Sequence, residues 1–269
     1  MKANCLVLGP IGCGKSASLR TLLRHYEDYD GRVKPGAGKD VMLLALEPGA
    51  DATLGAFSCE MGLHVKQHLP ATVSWEVMEE WVQRLGVMDM ETIAKMAVPA
   101  HIRKEFQQFL ELYSICNNYK CDRCGQTFGA VDSWDDSRVL AVDGMSGLSD
   151  MASQYIVGPK PIRSLPQTGT VQNLIEGFLK KCVSIPATFV LISHWSREQD
   201  EIKGGSSITL DTIGVKLAPK VLKMFDEIIV AQRQGTKFTW STLEDRIELK
   251  ARRLPYADNL APDFTQIFS

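Results

Sequence analysis

The sequence contains no apolar run near the ~20 residues that a bilayer-crossing helix needs, so no membrane span is expected. It also lacks a charge imbalance: 30 Lys and Arg against 32 Asp and Glu leave a formal net charge of −2. There is thus no global basic signal for nucleic acid, and any such contact must come from local patches or an assembled oligomer. Internal repeats and low-complexity tracts are absent, and a hydrophobic content of 45% is ordinary for a globular chain. No signal peptide is visible, because the first residues run straight into an apolar strand. The seven cysteines are therefore expected in a reducing, cytoplasmic setting, where clustered thiols bind metal more often than they form disulfides. No H-x-E or H-E-x-x-H accompanies the clustered cysteines, which argues against a catalytic zinc. The 269 residues suffice for one large α/β domain with an insertion, or for two small domains.

What is present begins at once. Gly9-Pro10-Ile11-Gly12-Cys13-Gly14-Lys15-Ser16 fits G-x-x-x-x-G-K-[ST], the P-loop pattern. Asn4-Cys5-Leu6-Val7-Leu8 reads as a buried strand before it, and Leu19, Leu22 and Leu23 predict a helix over residues 16–26. A glycine-rich turn between strand and helix leaves backbone N–H groups free to surround a phosphate, and a helix N-terminus adds a favourable dipole. Residues Gly9 to Ser16, with Ala17 behind them, are the candidate nucleotide-binding set. Lys15 would reach the β- and γ-phosphates of ATP, and Ser16 would hold Mg²⁺.

Further along, residues 28–40 are polar and glycine-rich and read as a loop. Residues 41–46 are continuously apolar, the mark of a strand buried on both faces. That strand ends at Glu47. Ligands of open α/β sheets sit at the carboxyl ends of strands, so Glu47 is placed to orient or deprotonate an attacking water. The bland reading is a solvated loop glutamate. Short elements are expected over 53–61 (helix) and 64–69 (strand). Two amphipathic helices follow at 75–85, with Trp75, Met78, Trp81, Val82 and Leu85 facing a core, and at 99–115, with Ile102, Phe106, Phe109, Leu110 and Tyr113 inward. Glu47 is separated from the next clear sheet strand by too much chain for a plain βα connection, so a helical subdomain is inserted over about 70–135.

That insertion carries Cys116-x4-Cys121-x2-Cys124-Gly125. Two thiolates of a C-x-x-C-G turn can face one metal, and Cys116, Cys121 and Cys124 make a candidate zinc knuckle. Tetrahedral structural zinc needs a fourth ligand. No second C-x-x-C supplies it, which leaves Cys59, His101 or His64 to do so through the fold. The other reading is a set of reduced thiols in a turn.

Arg138-Val139-Leu140-Ala141-Val142-Asp143 is a strand ending in a carboxylate, the Walker B pattern, with Asp143 beside the Mg²⁺ held by Ser16. Ser146 and Ser149 follow, either supporting the site or capping a helix. Residues 158–169 read as an exposed loop with Lys160 and Arg163, and 171–182 as a helix. Residues 187–193 form a buried strand ending at His194, which can hydrogen-bond a γ-phosphate or simply pack at the surface. Residues 197–213 look mobile. A short helix at 219–225 and strands at 226–231, 237–241 and 246–249 lead to Lys250-Ala251-Arg252-Arg253. These cations are a solvated patch, or they project into a neighbour's nucleotide site as an arginine finger does.

Taken in order, these features resemble the RecA-type branch of P-loop ATPases, and more closely the phage-encoded AAA-type family of single-domain RecA cores that includes single-strand annealing and recombination ATPases. The resemblance rests on Gly9 to Ser16, Leu46-Glu47-Pro48-Gly49-Ala50-Asp51, Val142-Asp143-Gly144-Met145-Ser146, Ile192-Ser193-His194, the stretch from Gly214 to Asp226, and Lys250-Ala251-Arg252, which is similar to a K-x-R element. It covers most of residues 1–60 and 135–265. It implies a mainly parallel sheet flanked by helices and Mg-ATP hydrolysis in the host cytoplasm. It also implies a homo-oligomer whose Lys250 and Arg252 sense a neighbour's γ-phosphate. The loops after Asp143 and His194 would face single-stranded DNA. Those loops are only mildly basic, since Lys160, Arg163, Arg197 and Lys203 are balanced by Glu198, Asp200 and Glu201. From another class, the same residues fit a nucleotide-gated protein-binding module with little turnover. A nucleotide kinase fits less well, for want of an arginine-rich lid.

Overall fold

A computed structural model describes residues 2–28, 30–49, 53–160, 163–199, 206–214, 216–243, 247 and 249–268. Its strands in chain order are β1 (Asn4–Leu8), β2 (His25–Glu27), β3 (Val33–Pro35), β4 (Asp40–Ala45) and β5 (Leu63–Gln67). Next come β6 (Tyr119–Lys120), β7 (Thr127–Gly129), β8 (Arg138–Asp143) and β9 (Thr188–Ser193). The last are β10 (Trp195–Gln199), β11 (Ser206–Leu210), β12 (Glu227–Gln234) and β13 (Lys237–Ser241). Seven of them form one sheet in the order β13-β12-β1-β9-β8-β4-β5. Every neighbouring pair in it is parallel except the β12–β13 hairpin. The fold is α/β, as expected.

The apolar runs of β1, β4, β8 and β9 explain why this sheet is covered on both sides. Alternate residues of each strand feed two separate cores. Leu6, Leu8, Met42, Leu44, Leu140 and Leu191 face one, beneath the helices Met145–Val157 and Leu165–Ser184. Cys5, Val7, Val41, Leu43, Val139 and Val190 face the other, which Leu19, Leu22, Trp240 and Phe264 complete.

Several local expectations are corrected. The helix after the glycine-rich loop is one α-turn, Lys15–Ser18, running into a 3₁₀ turn, Leu19–Leu22, and does not reach residue 26. The cause lies in the next segment. The amides of Gly36, Ala37, Gly38 and Lys39 bond the carbonyls of Arg24, Thr21, Leu23 and Leu22, which a longer helix would need for itself. The supposed loop from residue 28 is partly a hairpin, with β3 antiparallel to β2. The expected helix at 53–61 is reduced, in its described part, to turns and a 3₁₀ segment, Cys59–Met61. The long helix starts earlier than residue 171, because Ser164 and Gln167 form a reciprocal capping box ahead of Leu165. The stretch at 197–213 contains an antiparallel ladder, β10 with β11, in place of a wholly mobile loop. Arg246 and Glu248 of the strand expected at 246–249, with Ala50, Asp51 and residues 200–205, lie outside the described residues.

The inserted stretch is two things. Trp81, Ile102 and Phe106 form a small separate cluster, whereas Phe109, Leu112, Tyr119, Val131 and Trp134 belong to a main core. This explains why the helix expected at 99–115 is broken into Ala100–Arg103 and Gln108–Asn117: its two halves bury against different bodies. On the helix Trp75–Gly86 only Trp81 is buried, and Trp75 is 89% exposed, with Met78 and Val82 also open. The stripe expected to be core is therefore largely a solvent-facing surface. Leu110 and Tyr113 are likewise exposed. No helix among the described residues is long and apolar enough to cross a membrane.

Candidate functional site

β1, β9, β8 and β4 lie side by side and parallel, so their carboxyl ends reach one edge together. Leu8 is level with Ser193, Ile192 with Asp143, and Asp143 with Ala45. The residues that follow each strand thus meet without any long reach. They surround a cleft of about 530 Å³, lined by the 11–17 stretch, Glu47, Pro48, Gly49, Thr53, Asp143, His194 and Phe238. That volume falls within the ~300–1,000 Å³ usual for small-molecule and cofactor sites.

The loop from Gly9 to Ser16 is wrapped around its own lysine. Lys15 Nζ donates to the carbonyls of Gly9 at 2.9 Å and Pro10 at 2.8 Å, and lies 3.3 Å from His194 Nδ1. An ammonium only donates, so Nδ1 accepts and the imidazole proton sits on Nε2. Nε2 is 3.4 Å from Glu47 Oε2 and can donate to it. A continuous polar chain therefore runs from Lys15 through His194 to Glu47. Burial lowers the lysine pKa, and the charges of Asp143 and Glu47 act against that shift.

Two carboxylates face the cleft in different electrostatic states. The His194 hydrogen bond, with help from Ser146 and the Gly147 amide, holds the Glu47 carboxyl below its ordinary value against the opposing effect of burial. Burial instead pushes Asp143 up to about 6, and the Ser16 hydroxyl that bonds it offsets only part of that. The folded chain therefore binds the Asp143 proton more tightly than the unfolded chain does. Ionising it lowers stability as pH rises between the ordinary 3.8 and about 6. Asp143 Oδ2 and Glu47 Oε1 are buried with no hydrogen-bond partner among the described residues. Two orphaned carboxylate oxygens beside a lysine and a serine hydroxyl suit a hydrated divalent cation and a phosphate chain.

Glycine is required at two points here. Gly14 has φ +84°, and a Cβ there would lie 2.9 Å from the Phe238 ring. Gly144 has φ +123°, and a Cβ there would lie 2.7 Å from Glu47 Cγ, so this glycine makes room for the glutamate. Phe238 itself escaped sequence reasoning. It stands on β13, more than two hundred residues from the loop it covers, and only the β12–β13 hairpin brings it back. Arg233, on the same hairpin, stacks its guanidinium over the ring at 5.3 Å.

The remaining candidates lie elsewhere. Lys250 bridges Ile228, which is level with Leu6, and its Nζ donates to the Phe225 carbonyl at 2.9 Å. Arg252 pairs with Asp226 at 2.9 Å, beside the start of β12. Both are at the amino-terminal side of the sheet, opposite the cleft. Arg252 sits in a bend rather than on a strand. Of the cations expected to face DNA, Lys160 is buried with its Nζ on the Met96 carbonyl, and Arg163 donates to Ser153 Oγ at 2.6 Å. The side chain of Arg197, and Lys203, lie outside the described residues.

The cysteine reading needs correction in its membership. Cys116 lies on the helix Gln108–Asn117, packed against the main core and lining a small cavity with Val131, Phe178 and Cys182, and burial pushes its thiol up to about 12. It does not join Cys121 and Cys124. Those two meet Cys59 and His64, and the four ligand atoms all lie within 4.8 Å of one another. The fourth-ligand candidates Cys59 and His64 are thus both in the cluster, and the side chain of His101 lies outside the description. The short spacing of Cys116 to Cys121 had suggested a ligand, but the helix turns that thiol inward. No family model matches the chain, and no curated protein matches it.

Proposed function

We propose that the chain is a RecA-type P-loop ATPase that binds Mg-ATP in this cleft and hydrolyses it, acting on DNA. The convergence of Gly9 to Ser16, His194, Asp143 and Glu47 at four adjacent strand ends carries the reading. The placement of β9 between β1, which leads into Gly9–Ser16, and β8, which ends at Asp143, supports the RecA-type assignment, because it inserts His194 between lysine and glutamate.

The backbone amides of the loop would hold the phosphates, with little help from a helix dipole, since the α-helix there is one turn long. Ser16 and Asp143 would hold Mg²⁺, which neutralises charge on the phosphates and fixes their orientation. Lys15 would exchange the carbonyls of Gly9 and Pro10 for phosphate oxygens. Glu47, ionised and aimed into the cleft, would take a proton from water. His194 positions both. When Lys15 moves, His194 Nδ1 loses its donor, so the Lys15–His194–Glu47 chain reports nucleotide binding. That linkage also favours the second reading, a nucleotide-gated binding module. In an oligomer Lys250 and Arg252 would serve a neighbouring chain's cleft, because they cannot serve their own.

Phosphate release from ATP, measured with and without Mg²⁺ and single-stranded DNA, tests the proposal. Mg²⁺-dependent release that rises with DNA is expected. Tight ATP binding with no release under either condition would leave only the module. In this reading the ring of Phe238, which lines the cleft, would receive the base. Phe238→Ala should raise KM for ATP about tenfold with kcat little changed, because stacking a base on an aromatic face is worth roughly 1–3 kcal/mol. Steady-state kinetics would show this, and an unchanged KM would remove the ring from recognition.

A further inference from the structure

We infer that Cys59, His64, Cys121 and Cys124 bind a structural Zn²⁺ that clips the turn between β6 and β7 onto the edge strand β5. Cys59 Sγ and Cys121 Sγ are 3.8 Å apart, and Cys124 Sγ is 3.7 Å from His64 Nδ1. A disulfide would need about 2.05 Å, so the first pair is unbonded. Zinc with Zn–S of about 2.3 Å and Zn–N of about 2.0–2.1 Å places tetrahedral ligands about 3.8 Å apart for two sulfurs and about 3.6 Å for sulfur and nitrogen. The observed separations match both edges. Three thiols and one imidazole in this geometry select zinc over the hard cations that carboxylates prefer.

The surroundings are built to hold those ligands still. The Asp122 amide donates to the Val65 carbonyl at 2.7 Å, and the Asp122 carboxylate accepts from the Gln67 amide at 2.9 Å and from Lys66 Nζ at 2.7 Å. The turn thus continues the ladder on the open side of β5, where an edge strand otherwise exposes unpaired backbone. The buried Tyr119 hydroxyl lies 2.9 Å from both the Leu43 and His64 carbonyls, fixing the backbone that carries the imidazole. The His64 ring packs on Phe128 of β7, with centroids 4.3 Å apart. Arg123 donates to the Phe57 carbonyl at 2.7 Å, two residues before Cys59. Gly125, at φ +72°, closes the turn by donating to the Cys121 carbonyl.

The clip also has a place in the chain. Cys59 and His64 end the connection that starts at Glu47 and lines the cleft with Pro48, Gly49 and Thr53. A metal there anchors the far end of the segment that carries Glu47. The zinc itself does not depend on the ATPase reading.

The test uses the full chain purified without chelator. Elemental analysis should find about one zinc per chain, and Co²⁺ exchanged into the site should show the strong visible bands of a tetrahedral cobalt–thiolate centre. Cys59→Ser and His64→Ala should each weaken zinc binding by more than about 100-fold, since changes outside the ligand set alone cost 10–100-fold. Cys116→Ala should keep the metal. If a ligand variant fails to fold, mercurial titration of the intact wild-type protein decides: zinc should leave as three thiols react. Metal-free protein, zinc that survives both Cys59→Ser and His64→Ala, or zinc lost in Cys116→Ala would each overturn the proposal. Loss of zinc with ATP binding intact would leave the site standing and remove only its link to the Glu47 segment.

Discussion

Lys15→Ala is expected to lower ATP turnover by about 10²–10³-fold, the usual loss when one preorganised electrostatic group is removed from a reacting centre. The lysine is only 7% exposed, yet its Nζ contacts the carbonyls of Gly9 and Pro10 and the ring of His194. The buried side chain thus ties the Gly9–Ser16 loop to the strand end that carries His194. Alanine removes the charge and also leaves two carbonyls and one imidazole nitrogen without their donor. A fall in thermal stability should therefore accompany the loss of turnover. Burying an unsatisfied polar group costs about 1–3 kcal/mol, but nucleotide-free stability and turnover can be measured separately. Wild-type turnover in a folded Lys15→Ala protein would sink the assignment of the loop. A binding constant for Mg-ATP that weakens in step with kcat/KM would instead mark Lys15 as contributing uniformly to ground state and transition state.

Much of this site was legible because its parts are local. A strand, its terminal residue and the following turn are contiguous, so Leu8 to Ser16, Ala45 to Glu47, Val142 to Asp143 and Ser193 to His194 each signal their position in the sheet without help. The strands β1, β4, β8 and β9 appear within a residue or two of expectation, because full burial leaves a continuous apolar run. What failed was less local. The first helix ends early because of amides donated by residues 36–39, which no periodicity in 16–26 reveals. The Trp75 stripe has helical spacing, but spacing cannot say how much of it a second body covers, and in the described structure Trp75, Met78 and Val82 stay exposed. Phe238 comes from a remote segment, and Cys59 and His64, legible only as alternatives for one fourth ligand, both belong to the cluster. Cys116 illustrates the reverse error, in which sequence proximity suggested a shared site and helix direction prevented it.

Glu47→Gln should separate binding from chemistry, with hydrolysis falling by about 10²–10⁴-fold, the range a positioned general base supplies. The amide is nearly isosteric, and its oxygen can still accept from His194 Nε2, so the Lys15–His194–residue 47 chain survives the change. Gly144, which makes room for the side chain at position 47, is undisturbed. Mg-ATP affinity should therefore stay near the wild-type value in an equilibrium titration while single-turnover hydrolysis slows. The pH profile adds a second readout. The Glu47 carboxyl is held below its ordinary 4.5 by His194, so it is ionised across the neutral range and does not set the acid limb. Asp143, raised to about 6, does. Its protonated form cannot serve the cation, so kcat/KM should fall as pH drops through about 6, and Glu47→Gln, which removes a negative charge that helps raise Asp143, should give a lower plateau with the midpoint moved to lower pH. If affinity and hydrolysis fall together in Glu47→Gln, the glutamate is a metal contact or a structural partner of His194, and water must be activated by another group.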